Sequence, residues 1–68
     1  MRYAIVIEKS DSGFGAYAPD LPGCVAIGET FEETEQLMKE AISFHLEGFA
    51  DDGITPPEPS TVTEYVEV

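Results

Sequence analysis

Positive charge is scarce in this sequence. Apart from a single histidine, Arg2, Lys9 and Lys39 are its only basic residues, against 14 acidic residues, and the formal net charge is -11. Because the sequence-independent part of nucleic-acid affinity comes from Lys and Arg that neutralise phosphates, we do not expect direct DNA or RNA binding. The same charge would speed encounter with a basic protein partner. It could also serve only to keep a small domain soluble, but the partner interpretation is slightly favoured because the acidic residues cluster on one element.

Cysteine and long apolar runs are also scarce. The lone Cys24 allows no internal disulfide, which is typical of a protein in a reducing compartment. No apolar stretch approaches the roughly 18 residues of a membrane span, and no cationic segment followed by an apolar one opens the chain. We therefore expect a cytoplasmic protein that does not contact the membrane and uses no cofactor.

The length of 68 residues leaves room for a single domain, residues 1–68, because short chains bury too little surface to support two cores. Apolar burial at about 25 cal/mol/Å² against roughly 1.5 kcal/mol of ordering entropy per residue leaves such a domain near break-even. Self-association or a partner would add the missing stability, so we expect a homo-oligomer or a complex.

Three strands are predicted before residue 30. In the first of these segments the side chains alternate between two faces with a period of two, and β-branched and aromatic residues are enriched. The predicted strands are Arg2–Lys9, Phe14–Ala18 and Cys24–Gly28. The turn cluster Ser10–Gly13 joins the first two as a β-hairpin, and Pro19, which lacks the amide hydrogen that a ladder needs, ends the second.

An amphipathic helix is predicted from Phe31. Thr30 and Glu33 form a capping box, in which the threonine hydroxyl accepts from the Glu33 amide and the carboxylate reaches back. Gly53 is the predicted C-terminal stop. The residues predicted to form the buried stripe are Phe31, Thr34, Leu37, Met38, Ala41, Ile42, His45 and Phe49, and those predicted to be solvated are Glu32, Gln36, Lys39, Glu40, Ser43 and Glu47.

A fourth strand is predicted after the helix. The proline-rich segment Thr55–Ser60 cannot be helical and should be extended, and Thr61–Val68 alternates again with a period of two. A right-handed crossover through the helix would place this strand parallel to the first. The predicted fold is therefore α+β, a β-β-β-α-β two-layer sandwich with strand order 3-2-1-4 and one covering helix.

Few residues suggest catalysis or metal binding. His45 has neither the Cys/His spacing of a zinc site nor a Ser/His/Asp pattern around it, and a half-buried imidazole with a local hydrogen bond is favoured. Cys24 is expected to be a packed thiol. Glu8 and Glu64 alone could lie on neighbouring strands as in a two-metal nuclease, but a solvated acidic face explains the acidic residues better. We expect no metal site and no enzymatic activity.

The turn Asp20-Leu21-Pro22-Gly23 has two interpretations. An exposed leucine between prolines would be a rigid protrusion that binds a partner at little entropic cost. The same residues could form an ordinary turn in which Leu21 folds into the core. The sequence favours neither.

Several motifs together resemble the HicB family of bacterial antitoxins, and the resemblance covers nearly the whole chain. They are Tyr-Ala-Ile-Val-Ile-Glu, Gly-Phe-Gly-Ala-Tyr-Ala-Pro-Asp-Leu-Pro-Gly-Cys, Gly-Glu-Thr-Phe-Glu-Glu, Ala-Ile-Ser-Phe-His-Leu-Glu-Gly and a late Pro-x-Pro-Ser. The resemblance implies a partial RNase H-like fold. It also implies binding and occlusion of a small basic HicA-type toxin, a protein that is similar to double-stranded RNA-binding domains and cleaves mRNA with a catalytic histidine.

The sequence departs from the family pattern in two respects. Typical members continue into a C-terminal DNA-binding domain, whereas these residues stop at Val68, so we do not expect direct DNA binding. The first strand places Tyr3, Ile5 and Ile7 where an RNase H-like nuclease would need a carboxylate.

We therefore expect an antitoxin of a type II toxin-antitoxin system. The residues predicted to contact the toxin are Asp20, Leu21, Pro22, Gly23, Glu29, Glu32 and Glu33, because we expect the rigid turn and the acidic helix start to lie close together. One alternative is an orphan HicB-like homo-oligomer that acts as an interaction module without a toxin. A nuclease is the least favoured alternative.

Overall fold

The computed structural model describes all residues, Met1–Val68, and shows a three-stranded sheet with one helix against one of its faces. The strands are β1 (Val6–Lys9), β2 (Phe14–Tyr17) and β3 (Val25–Gly28), and the helix is α1 (Phe31–Asp51). The predicted α+β class, the three antiparallel strands and the helix are confirmed.

The sheet is antiparallel throughout, in the order β1-β2-β3. The β1–β2 hairpin closes through a hydrogen bond of 2.8 Å from the Ser10 amide to the Gly13 carbonyl. β1 is shorter than the predicted strand Arg2–Lys9. Its register pairs Val6 with Tyr17, so continuing the ladder would bring residue 4 opposite Pro19, which has no amide hydrogen to donate.

The helix covers the inner face of the sheet and leaves the outer face open to water. On the inner face Ile7, Ala16 and Ala26 are cross-strand neighbours, and the two alanines leave room for the helix. The outer face carries Val25 and Ile27, which are 62% and 82% exposed. Side chains therefore alternate between helix and water along β3, as the pleat of a strand requires.

The helix starts and stops where the sequence predicts. Thr30 is the N-cap, and its Oγ1 accepts a hydrogen bond of 3.1 Å from the Glu33 amide. At the other end Gly53 has φ of +69°, and the Ile54 amide donates to the Phe49 carbonyl at 2.8 Å. This is a Schellman motif, in which a residue in the left-handed region satisfies the last carbonyl groups.

The predicted helix faces are also confirmed, apart from one residue. All members of the solvated set are exposed, and the stripe is buried or half-buried except at Phe31, which remains 44% exposed. Phe31 nevertheless packs edge-on against Phe14, with ring centroids 6.3 Å apart.

The hydrophobic core is small. Its buried members are Ala16, Ala18, Leu21, Cys24 and Met38. Only Leu21 and Met38 are large, and fully burying such a side chain contributes about 1.5–3 kcal/mol. The stability of the domain therefore depends heavily on these two residues.

The start of the helix lies directly on the end of β3. A Cβ atom built at Gly28 would lie 2.5 Å from Thr34 Oγ1 and 3.1 Å from the Thr34 amide nitrogen. Thr34 is completely buried, and its hydroxyl donates to the Thr30 carbonyl at 2.8 Å. A glycine at position 28 is therefore required by close approach.

The structure does not confirm the fourth strand predicted over Thr61–Val68, nor the parallel strand order that depends on it. These residues are exposed and have no ladder partner. Alternation with a period of two reports a preference for extended backbone but does not supply a neighbouring strand. No helix in the structure has the length and apolar character needed to cross a membrane.

Candidate partner-binding surface

The turn between β2 and β3 is rigid because its backbone is internally hydrogen-bonded. The Leu21 amide donates to the Ala18 carbonyl at 3.1 Å, and the Cys24 amide donates to the Leu21 carbonyl at 3.1 Å. Gly23 has φ of +82°, a conformation that L-residues adopt at a cost. Two prolines further restrict the backbone of this turn.

Leu21 does not protrude from this turn. Its side chain is completely buried in the core, so the second interpretation of the turn describes the structure and the exposed-leucine interpretation was wrong. The residues of the turn that remain exposed are Pro22 and Gly23. A partner that docks here would meet a rigid polar backbone and a proline ring.

The carboxylate of Asp20 binds the extended segment that follows the helix, residues 55–68, which we call the C-terminal segment. Oδ2 accepts from the amides of Ser60 and Thr61 at 2.9 and 3.0 Å, and Oδ1 accepts from their hydroxyls at 3.2 and 2.7 Å. We call these four hydrogen bonds the Asp20 latch. The carboxylate predicted to contact a partner is thus engaged within the molecule.

The latch stabilises the charged form of Asp20. The hydrogen bonds from the Thr61 amide and hydroxyl, followed by those from Ser60, lower the pKa of the carboxyl from 3.8 to about 2. A carboxylate that accepts several hydrogen bonds holds its proton less tightly, because only the anion satisfies all the donors. The latch is therefore fully formed at neutral pH.

Tyr3 provides a second link to the C-terminal segment. Its hydroxyl donates to the Pro57 carbonyl at 2.6 Å, across 54 residues of sequence. Sequence reasoning missed both this link and the Asp20 latch. The only signal was the pair of hydroxyl residues directly after Pro59, which a local pattern cannot assign to a partner 40 residues away.

The predicted contact residues fall into two separate groups. The turn at Asp20–Gly23 follows β2 and precedes β3, whereas Glu29, Glu32 and Glu33 follow the far end of β3. A four-residue strand is about 13 Å long, so the two groups lie at opposite ends of the sheet. The expectation that they lie close together was wrong, because it took proximity in sequence for proximity in space.

The acidic group at the helix start is fully available to a partner. Glu29, Glu32 and Glu33 are all exposed. The acidic surface continues along α1: eight of the 14 acidic residues lie between Glu29 and Asp52, against Lys39 as the only basic residue there. A helix about 31 Å long thus carries a large excess of negative charge.

The remaining candidate residues lie in surroundings that are typical of side chains with a structural role. His45 is half-buried with its ring edge-on to Phe49, 5.8 Å between centroids. Cys24 is buried as a packed thiol, as predicted, and burial raises its pKa. Glu64 lies outside the sheet and therefore does not face Glu8 across neighbouring strands. No group of three or more His, Cys, Asp or Glu side chains is placed to hold a metal ion.

The sequence and the fold both match known proteins. Residues 3–68 match the family model described as HicB_like antitoxin of bacterial toxin-antitoxin system. An uncharacterised 14.9 kDa protein from the rep-hol intergenic region of Haemophilus phage HP1 is 41% identical over 97% of this chain and 50% of that protein. Antitoxin HicB 2 of Photorhabdus laumondii subsp. laumondii is 32% identical over 100% of this chain and 50% of that protein.

A solved structure supports the same relationship. A chain of the HicA3 and HicB3 toxin-antitoxin complex superimposes with a TM-score of 0.74 at 35% identity, over 88% of this chain and 70% of that chain. This chain spans about half the length of the two curated relatives. The family match covers β1 through the C-terminal segment, and on these grounds the chain belongs to the HicB-like antitoxin family of bacterial toxin-antitoxin systems.

Proposed function

We propose that this chain is the toxin-binding part of a cytoplasmic antitoxin and inhibits a small basic HicA-type mRNA interferase by covering its RNA-binding surface. The observation that carries the proposal is the exposed acidic face of α1, with Glu29, Glu32 and Glu33 at its start. A surface that binds RNA is positively charged, and a protein surface of opposite sign competes for it. The chain's role is to bind, with no chemical step of its own.

Support for this proposal comes from two independent sources. The family match and the likeness to a chain of a toxin-antitoxin complex support the antitoxin role. The small core supports a binding role, because a domain with two large buried side chains gains stability from any partner that binds its folded state. Pro22 and Gly23 are proposed as secondary contacts at the opposite end of the sheet.

The first experiment asks whether the small basic protein encoded beside this chain is captured and silenced. Both proteins are co-expressed and co-purified, and cleavage of an RNA substrate is measured as this chain is titrated in. Stoichiometric capture with loss of cleavage is the expected result. If cleavage continues with this chain in excess, the antitoxin proposal fails.

The second experiment locates the contact surface. Glu32→Lys combined with Glu33→Lys reverses two charges at the helix start, and Asp11→Lys combined with Glu58→Lys makes the same change in net charge at exposed positions elsewhere. We expect the helix pair to slow association roughly tenfold at low salt and to weaken its salt dependence. Equal effects from both pairs would show that net charge acts, rather than this surface.

The alternative, an orphan homo-oligomer without a toxin, is favoured by the exposed strand edges of β1 and β3, which present unpaired backbone groups. It predicts self-association and no capture in the first experiment. A nuclease has less support, because the structure does not bring Glu8 and Glu64 together.

A further inference from the structure

The last seven residues, 62–68, form an extended segment that we call the arm. Val62, Tyr65 and Val66 are 88%, 97% and 80% exposed, and no hydrogen bond joins the arm to the rest of the chain. Glu64 and Glu67 are interspersed among these apolar residues. Single exposed apolar residues are normal on a protein surface, but a cluster of them marks an interaction site.

A second feature lies between the N-terminal residues and the helix. This groove has a volume of about 470 Å³, and its apolar lining includes Ile5, Ile42 and Leu46. Arg2 and Lys39 also line it, together with the acidic Glu35, so two of the three basic residues of an otherwise acidic chain lie at one place beside a single carboxylate. We call it the basic groove.

The fold explains why the basic groove is open. The helix packs mainly over β3 and β2, which leaves the helix-facing side of the edge strand β1 partly uncovered. Tyr3 and Ile5 precede β1 and contact the core from this side, yet both are only half-buried. The groove thus exposes the edge of the hydrophobic core, a surface that a further chain segment can cover.

The arm and the groove are complementary in pattern and charge. The arm offers apolar side chains interspersed with acidic ones, and the groove offers apolar side chains together with two cations against one carboxylate. Elsewhere the surface carries an excess of negative charge that resists the approach of an acidic segment. The five residues beyond Thr63 span about 17 Å when extended.

The position of the arm determines which groove it can reach. The Asp20 latch holds Ser60 and Thr61, and residues 61–63 lie beside Arg2, Tyr3 and Ala4. Beyond this point the arm leaves its own domain and is exposed on both faces. Two copies that exchange arms would close both grooves through one self-complementary contact.

We propose that the basic groove is the binding site for the arm of a second copy of this chain, so that the domain assembles as an arm-exchanged dimer. Glu29, Glu32 and Glu33 do not line this groove, and the proposal requires no toxin. It therefore stands or falls independently of the proposed function.

The mass of the full chain in solution provides the first test, measured by sedimentation velocity between nanomolar and high micromolar concentrations. We expect a concentration-dependent dimer. Tyr65→Asp should raise the dimer dissociation constant at least roughly tenfold, because it removes an aromatic anchor and adds like charge. Ile27→Asp also places a carboxylate at an exposed apolar position, on the outer sheet face, and we expect it to leave the dimer unchanged.

Charge reversal then tests the pairing itself. Lys39→Glu should weaken the dimer, and adding Glu64→Lys and Glu67→Lys in the same chain should restore it. A structural role of Lys39 in its own helix would not be rescued by changes in the arm. Dimerisation that is indifferent to both Tyr65→Asp and Lys39→Glu would overturn the proposal and assign the contact to another surface.

Disulfide trapping separates exchange between copies from folding within one copy. A chain carrying Ser43→Cys, which lines the groove, is mixed under oxidising conditions with a chain carrying Val66→Cys. We expect a linked heterodimer, and much less of it when Ile27→Cys, on the outer sheet face away from the helix, replaces Ser43→Cys. A monomer at every concentration, or an internal disulfide within monomeric Ser43→Cys/Val66→Cys chains, would overturn the proposal.

Discussion

The turn between β2 and β3 and the C-terminal segment are held in place by different forces. The turn is fixed by burial, since Leu21 and Cys24 lie in the core with 0% and 2% of their surfaces exposed. The C-terminal segment is fixed mainly by polar links, from Tyr3 to Pro57 and from Asp20 to Ser60 and Thr61. Burial generates the stability of this domain, whereas the polar links determine where the chain leaves it.

The largest effect on stability is expected when the buried leucine of the turn is shortened. Leu21→Ala should lower the free energy of unfolding by about 2–5 kcal/mol, because it removes a completely buried side chain and leaves a cavity. A domain of this size has only about 3–5 kcal/mol to lose, so the variant should be largely unfolded. Chemical denaturation followed by circular dichroism would measure it. Val25→Ala is the control, since Val25 is 62% exposed on the next strand.

A loss for Leu21→Ala no larger than that for Val25→Ala would show that the turn is not anchored by burial.

A smaller effect, with a distinctive pH dependence, is expected from the Asp20 latch. Asp20→Asn removes one acceptor oxygen and the negative charge, so the variant should be less stable than the wild type at neutral pH. The folded-state pKa of Asp20, about 2, lies below its ordinary value of 3.8. Its stabilising contribution is therefore present above pH 3.8 and is lost as the pH falls through about 2.

The measurement for Asp20 is the difference in unfolding free energy between wild type and Asp20→Asn at a series of pH values. That difference should be constant near neutrality and shrink between pH 3.8 and about 2. Glu58→Gln, a neutralisation in the same proline-rich segment, serves as the control. A difference that does not depend on pH would contradict the latch.

The smallest effect is expected in the arm. Tyr65→Ser should change the stability of the monomer by no more than about 0.5 kcal/mol, because Tyr65 is 97% exposed. Removing only the hydroxyl of Tyr3 with Tyr3→Phe should cost about 1 kcal/mol, since that group donates to Pro57. Thermal unfolding at concentrations where the chain is monomeric would compare the two. A larger loss for Tyr65→Ser than for Tyr3→Phe would mean that the arm packs on its own domain.

Local signals in the sequence predicted the elements well. The capping box at Thr30 and Glu33 predicted the helix start, and Gly53 predicted its end, because caps depend on neighbouring residues alone. Alternation placed Tyr3, Ile5 and Ile7 on the face that contacts the core. The sequence of strands and helix up to Asp51 followed from the same kind of signal.

The contacts that the sequence could not predict are those between distant residues. Asp20 is 40 residues away from Ser60, and no periodicity connects them. The burial of Leu21 was undecided because a Pro-Asp-Leu-Pro turn permits either direction for its side chain. The alternating residues 61–68 were predicted as a strand because they resemble residues 2–9, but only the N-terminal stretch has β2 beside it. Glu29, Glu32 and Glu33 remain proposed contacts, since exposed acidic side chains reveal no partner by themselves.

The Asp20 latch also has a mechanical consequence. A force that pulls on the chain from beyond Thr61 reaches the four hydrogen bonds of Asp20 before it reaches any residue of the core. The link between Tyr3 and Pro57 is the next to bear the load. Tension would therefore peel off the C-terminal segment as a first, reversible step, while the sheet and the helix keep their shape. The hydrogen bonds of Asp20 are thus the part of the domain that breaks first under tension, before the sheet and the helix.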